Sequence, residues 1–181
     1  MLGINDTVIY GIHGVCKVAG IEEKYFTGKA RKYFVLKPVN NDCSTYYVPA
    51  DNEEVLAKMR KLLSEEEINE LIDSMPYENA NWIADENERK EKYKSIISEG
   101  NRTELIKMVK AIFFQKKEKK AEGKRLHSSD EAFLKDAEQL LYGEFQYVLN
   151  LNEDELMTYI FERIEKNSES SPSVPNAETV E

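Results

Sequence analysis

Side chains able to do covalent or metal chemistry are sparse in this chain. Its 181 residues include two histidines and two cysteines, namely His13, His127, Cys16 and Cys43. A metal site needs several such ligands at short spacing, and a nucleophile needs a base beside it. Neither pattern occurs. His13 stands between turn residues and a strand, which suits a structural role, and His127 lies next to a helix cap, which suits exposure. Cys16 sits between Val15 and Lys17 in a strand, core or half-buried, with nothing beside it to lower its pKa. The acids are numerous, but they lie on helical faces where capping and solvation explain them. No glycine-rich phosphate loop is present. The expectation is a protein that is not an enzyme and uses no cofactor and no metal.

The residues that could act by binding lie in the middle of the chain. Trp82, the only tryptophan, sits in a polar, turn-like approach to a helix that opens with acids and runs into Arg89, Lys90, Lys92 and Lys94. Net charge is −9, yet it is unevenly placed. Residues 1–88 carry 9 Lys/Arg against 16 Asp/Glu, residues 89–125 carry 13 against 5, and residues 126–181 carry 3 against 13. A basic segment between two acidic ones is what a localised anion-binding surface looks like. It is also what a solvated helix face looks like. A large flat side chain beside such a helix can be a core anchor, a protein hot spot or a wedge for DNA.

The elements that must position these residues follow from periodicity. Thr7–Tyr10, Val15 to Phe26, Arg31–Lys37 and Ser44–Val48 read as strands, with turns at Thr27-Gly28-Lys29 and Asn40-Asn41-Asp42. Short strands at this spacing predict a small antiparallel barrel with Tyr33, Phe34 and Val35 in its core. From Asn52 the period becomes helical. Val55, Leu56 and Met59 make a short apolar stripe. Ser64 with Glu67 forms a capping box ahead of Ile68, Leu71, Ile72 and Met75. The helix after Trp82 runs from about Asp85 to Ser98, turns Tyr93, Ile96 and Ile97 inward, and closes at Gly100.

Asn101 to Glu104 caps the next helix, whose buried face is Leu105, Met108, Val109, Ile112 and Phe113. Its end, Lys116 to Lys120, places cations against the helix dipole. Ser128 to Glu131 reads as a further capping box before Phe133, Leu134, Ala137, Leu140 and Leu141. Asn152 with Glu155 caps the last helix. From Asn167 the Ser/Glu/Pro-rich tail is expected to be disordered.

The predicted fold class is α+β: a small Tudor/SH3-like antiparallel β-barrel at 1–52, an all-α bundle of about five helices at 53–166, and a tail at 167–181. There is no basic-then-apolar signal segment, and no apolar run approaches the ~18 residues of a membrane span. A cytoplasmic protein with no membrane partner is expected, and a monomer.

Specific residues carry a resemblance. Asp6-Thr7-Val8-Ile9-Tyr10, His13-Gly14, Tyr33 to Lys37 and Val48-Pro49-Ala50-Asp51-Asn52 resemble the RNA-polymerase-interacting module shared by CarD-type regulators and transcription-repair coupling factors. Asn81-Trp82, the basic helix behind it and the segment from Leu140 through Glu144 to Phe145 resemble the helical half of the CarD/CdnL family. These residues carry none of the phosphate loops of a coupling factor's helicase motors, so a regulator rather than a coupling factor is expected. The resemblance implies a bacterial transcription regulator whose barrel pairs through an edge strand with the RNA polymerase β subunit. Its helical half would lie on promoter DNA at the upstream edge of the melted region, in the minor groove and without sequence specificity.

In that comparison Trp82 is a wedge that stabilises the open complex. Arg89, Lys90, Lys94, Lys124 and Arg125 are the implied phosphate contacts. Lys24, Tyr47 and Pro49 are the implied polymerase contacts, with Tyr47 standing where some members carry arginine. The alternative from a different functional class is a protein–protein adaptor that binds no DNA and uses its two modules for two protein partners.

Overall fold

The computed structural model describes residues 2–26, 28–40 and 43–170. The expected turns at Thr27 and at Asn41-Asp42, and tail residues 171–181, fall wholly or partly outside that set. An antiparallel sheet is followed by helices, the α+β arrangement expected from the change of period. Its strands are β1 (Thr7–Tyr10), β2 (Val15–Lys24), β3 (Arg31–Pro38), β4 (Tyr46–Pro49) and β5 (Met59–Arg60), in the order β4-β3-β2-β1-β5. A one-turn helix, α1 (Glu53–Leu56), lies between β4 and β5.

β3 is the spine of the sheet because both of its faces are covered. Phe34 and Leu36 join Val8, Cys16, Val18 and Val48 in one core, whereas Tyr33 and Val35, also buried, point to the other face. A bulge between Val18 and Gly20 in β2 shifts the register against β3. Cys16 is fully buried, and the loss of solvation pushes its thiol up to about 11. His13 is stacked between Tyr10 and Tyr46, with centroids at 5.3 and 4.0 Å, and burial lowers its pKa.

The sheet reaches beyond residue 52, where the change of period had placed the boundary. Met59 and Arg60 pair with Tyr10 and Ile9, so Met59 belongs to a strand rather than to a helical stripe. Backbone pairing with β1 outweighs the short apolar pattern, since α1 has only four residues.

Five longer helices follow: α2 (Glu65–Ser74), α3 (Glu86–Glu99), α4 (Arg102–Ala121), α5 (Ser128–Leu149) and α6 (Glu153–Ser170). Their caps are largely as the sequence predicts. Ser64 and Glu67 form a reciprocal capping box, Asp85 and Asn101 cap α3 and α4, and Asn152 and Glu155 exchange hydrogen bonds. Gly100 closes α3 at φ 62°, a left-handed conformation that favours glycine. The start of α5 differs: His127 is its N-cap and makes no side-chain cap bond, so Ser128 is already helical.

The bundle has two apolar clusters. One gathers Tyr93, Ile96, Ile97, Leu105, Met108, Ile112, Leu134 and Ala137, with Trp82 packed at its margin. The other joins Ile68, Ile72, Ile106, Leu141, Phe145, Leu156 and Ile160. Burying a side chain such as Phe145 stabilises the fold by about 1.5–3 kcal/mol. Phe113, expected in the buried face of α4, is instead exposed, because Ile106 and Ala111 turn inward and rotate that face away. α6 continues through the expected start of the tail, and the Asn167 amide donates to Asp73 Oδ1 at 2.6 Å.

α5 also packs on β2. Thr7 Oγ1 and Tyr147 Oη lie 3.1 Å apart across this junction. A polar contact therefore joins the sheet to the bundle where the two pack together.

Candidate functional site

Trp82 is half-buried at the entrance to α3. The linker that carries it is held at both ends by cations from the basic segment. At its start, Lys110 Nζ donates to the carbonyls of Met75, Pro76 and Glu78 at 3.0, 2.9 and 2.7 Å. At its end, Arg89 Nη1 donates to the carbonyl of Ile83 at 2.8 Å. The Arg89 guanidinium lies over the indole ring, 4.3 Å from its centroid. A desolvated contact of this kind contributes about 2 kcal/mol.

The structure corrects the expected role of Arg89. It is 3% exposed and forms a two-pronged pair with the fully buried Asp130, with Nε to Oδ1 at 2.9 Å and Nη2 to Oδ2 at 3.0 Å. A guanidinium so engaged has no free edge to offer a phosphate. The reason lies in the helical repeat: Arg89 shares its face with Tyr93, Ile96 and Ile97, all buried. Asp130 sits in the first turn of α5, where the helix dipole also favours its negative charge. Such a pair contributes little net stability against an apolar replacement, but removing one partner costs about 3–5 kcal/mol.

The other implied phosphate contacts lie outside. Lys94 and Arg125 are exposed and hold no ion pair among the described residues. Lys90 pairs with Glu86 at 2.5 Å and Lys124 with Glu122 at 2.8 Å. These are solvent-screened surface pairs, and a phosphate can displace them. Trp82, Arg89 and Lys90 share the opening of α3, and Lys124 and Arg125 occupy the turn into α5, whose first turn carries Asp130. The lysines at 116, 117 and 120 are also exposed, with Lys117 Nζ 4.7 Å from the centroid of the exposed Phe113 ring.

Asp130 was not legible as a site residue. The sequence signals only an acid in the first turn of a helix, and its pairing with Arg89, 41 positions away, depends on α3 packing against α5. Lys110 was likewise missed, since nothing in its neighbours distinguishes it from a solvated lysine.

On the sheet, Lys24, Tyr47 and Pro49 come to one face. In β4, Tyr47 and Pro49 alternate with the buried Val48, and their partners in β3 are Val35 and Tyr33. Lys24 Nζ pairs with Glu22 at 2.7 Å and lies 5.4 Å from the Tyr47 ring centroid. Hydrogen bonding to Glu22 raises the Lys24 pKa. Phe26, 62% exposed, packs edge-on against both Tyr33 and Tyr47. Among the described residues β4 ends the hydrogen-bonded order of the sheet, the position at which a further strand can add.

Among the described residues, no three His, Cys, Asp or Glu side chains gather closely enough to hold a metal ion. No described helix is long and apolar enough to cross a membrane. The sheet, through β5 and the three residues after it, corresponds to a known domain: residues 2–63 match the family model of the CarD-like/TRCF RID domain. That family implies interaction with RNA polymerase and a place in transcription regulation. Over those residues the N-terminal module of this chain is similar to the CarD-like/TRCF RID domain.

Proposed function

We propose that this protein binds the β subunit of RNA polymerase through the β4 edge and stabilises the promoter open complex with its helical module. The observation that carries the reading is Trp82, half-buried at the mouth of a cation-rich helix in a chain whose first module is a polymerase-interacting domain. Docking on polymerase compensates for weak intrinsic DNA affinity, which a net charge of −9 would otherwise enforce. The exposed part of the indole enters the minor groove at the upstream edge of the melted DNA. A wedge there offsets an unstacking cost of a few kcal/mol and resists reannealing. Lys90, Lys94, Lys124 and Arg125 hold phosphates without reading bases. The protein acts by binding, not by catalysis, and one copy suffices.

Trp82→Ala tests the proposal. Co-purification with core polymerase is expected to persist while the open-complex lifetime falls. An unchanged lifetime overturns the wedge.

One observation favours a second reading. Phe113 and Phe114 are 47% and 49% exposed on α4, next to Lys117, as a protein-binding face would be. In that case the helical module is an adaptor for a second protein. It then shows no DNA affinity even at low salt, and Trp82→Ala weakens capture of that protein instead.

A further inference from the structure

We infer that Arg89 is a positioning residue for Trp82, and that Asp130 on α5 fixes Arg89 in that role. The inference rests on the reading of Trp82 as a wedge. A wedge is effective only if its ring is already oriented when it meets the base step, because any rotamer freedom lost on insertion subtracts from the gain. Three contacts converge to remove that freedom. The guanidinium covers the indole at 4.3 Å. The same guanidinium is locked in plane by both oxygens of Asp130, at 2.9 and 3.0 Å. Its remaining nitrogen holds the backbone one residue beyond the indole, at the Ile83 carbonyl, 2.8 Å away.

The first two of these need the shape of arginine rather than its charge alone. A lysine supplies a point charge and three donors but no plane to stack and no fork to match a carboxylate. The geometry also makes the orientation of the wedge depend on the packing of α5 against α3, since Asp130 is the anchor.

The chain has a single tryptophan, so its fluorescence reports Trp82 alone. The full-length protein is compared with Arg89→Lys and with the double variant Arg89→Met/Asp130→Asn. The double variant leaves no unpaired buried charge and so keeps the fold intact, which circular dichroism checks. Time-resolved anisotropy is expected to show a fast indole motion in both variants that the parent lacks. Open-complex lifetime on polymerase is then measured with each change in the Trp82 and in the Trp82→Ala background. Both changes should shorten the lifetime in the first background, by at least half of the Trp82→Ala effect on a logarithmic scale. In the second they should do nothing further.

An equal shortening in both backgrounds overturns the inference, because a general structural role does not need the indole. So does an indole that stays immobile in both variants. If Trp82→Ala itself leaves the lifetime unchanged, the wedge reading fails, and the anisotropy result still decides whether Arg89 orients the ring.

Discussion

Glu144 on α5 accepts two hydrogen bonds from the Arg102 guanidinium, at 2.8 and 2.7 Å, and its Oε1 also receives the Leu63 amide at 2.9 Å. Arg102 in turn donates to the Lys61 carbonyl at 3.1 Å. Beside it, the Arg60 guanidinium donates to the Gly100 carbonyl. Burial, followed by the charge of Arg102, lowers the pKa of Arg60. One buried carboxylate thus ties the segment leaving the sheet to α4 and α5, and through them to the site around Trp82.

Glu144→Ala is expected to destabilise the protein by about 3 kcal/mol, because it leaves the largely buried Arg102 guanidinium without its carboxylate and the Leu63 amide without an acceptor. Glu144→Gln retains an acceptor for that amide and should cost about 1–2 kcal/mol. Denaturant melts of the two variants check the order. If both lie within about 0.5 kcal/mol of the parent, the junction does not depend on this carboxylate.

The reach of sequence reasoning differs between the fold and the site. Ser64-Glu67 and Asn152-Glu155 could be recognised because a cap is a contact between near neighbours. The strands could be recognised because alternation and turn residues are local as well. The partner of Arg89 could not, since a cation at a helix start has the same sequence signature whether it faces water or Asp130. Phe113 illustrates the same limit: its apolar character fits either side of the buried arc of α4, and only the packing of Ile106 against α2 and α6 decides. Met59 shows how a two-residue strand is lost inside a helix-like pattern when its pairing partner, Tyr10, lies 49 positions earlier.

Tyr93 is 2% exposed, and its hydroxyl has no hydrogen-bond partner among the described residues. Burial pushes its pKa up to about 12, and its ring packs edge-on against Phe133 with centroids 5.7 Å apart. Tyr93→Phe keeps that ring contact and removes an unpaired polar atom. It is expected to leave stability unchanged or to raise it by about 1 kcal/mol. A loss larger than that in a thermal or denaturant melt means that the hydroxyl does have a partner in solution.

His13 supplies a pH dependence. Its pKa in the fold is lowered by burial between Tyr10 and Tyr46, whereas in the unfolded chain it stays near 6.5. Between the two values the unfolded chain binds more protons, so stability rises with pH across that window. The contribution is present above about 6.5 and is lost as pH falls through the lowered folded value. His13→Phe keeps an aromatic ring in the stack and should flatten this part of the profile while leaving the more acidic carboxylate-driven loss in place. Urea midpoints measured from pH 4 to 8 on both proteins test it, and parallel curves would show that His13 does not titrate with folding.

The positive segment separates into engaged and available cations, and this makes a charge prediction. Arg89, Arg102 and Lys110 are held by Asp130, Glu144 and the linker carbonyls, so substituting them alters structure before it alters DNA affinity. Lys94 and Arg125 are exposed and without an ion pair among the described residues. Lys94→Ala and Arg125→Ala should change folding stability by less than about 0.5 kcal/mol. Each should weaken promoter binding of the polymerase complex and reduce the slope of log affinity against log salt by about 1. The loss should be uniform across promoter sequences, because phosphates carry no base information. Salt titrations on two promoters that differ at the upstream edge of the melted region check both points. A slope left unchanged by both substitutions moves the DNA path away from this end of the bundle, and a loss confined to one promoter turns the contact from phosphate to base.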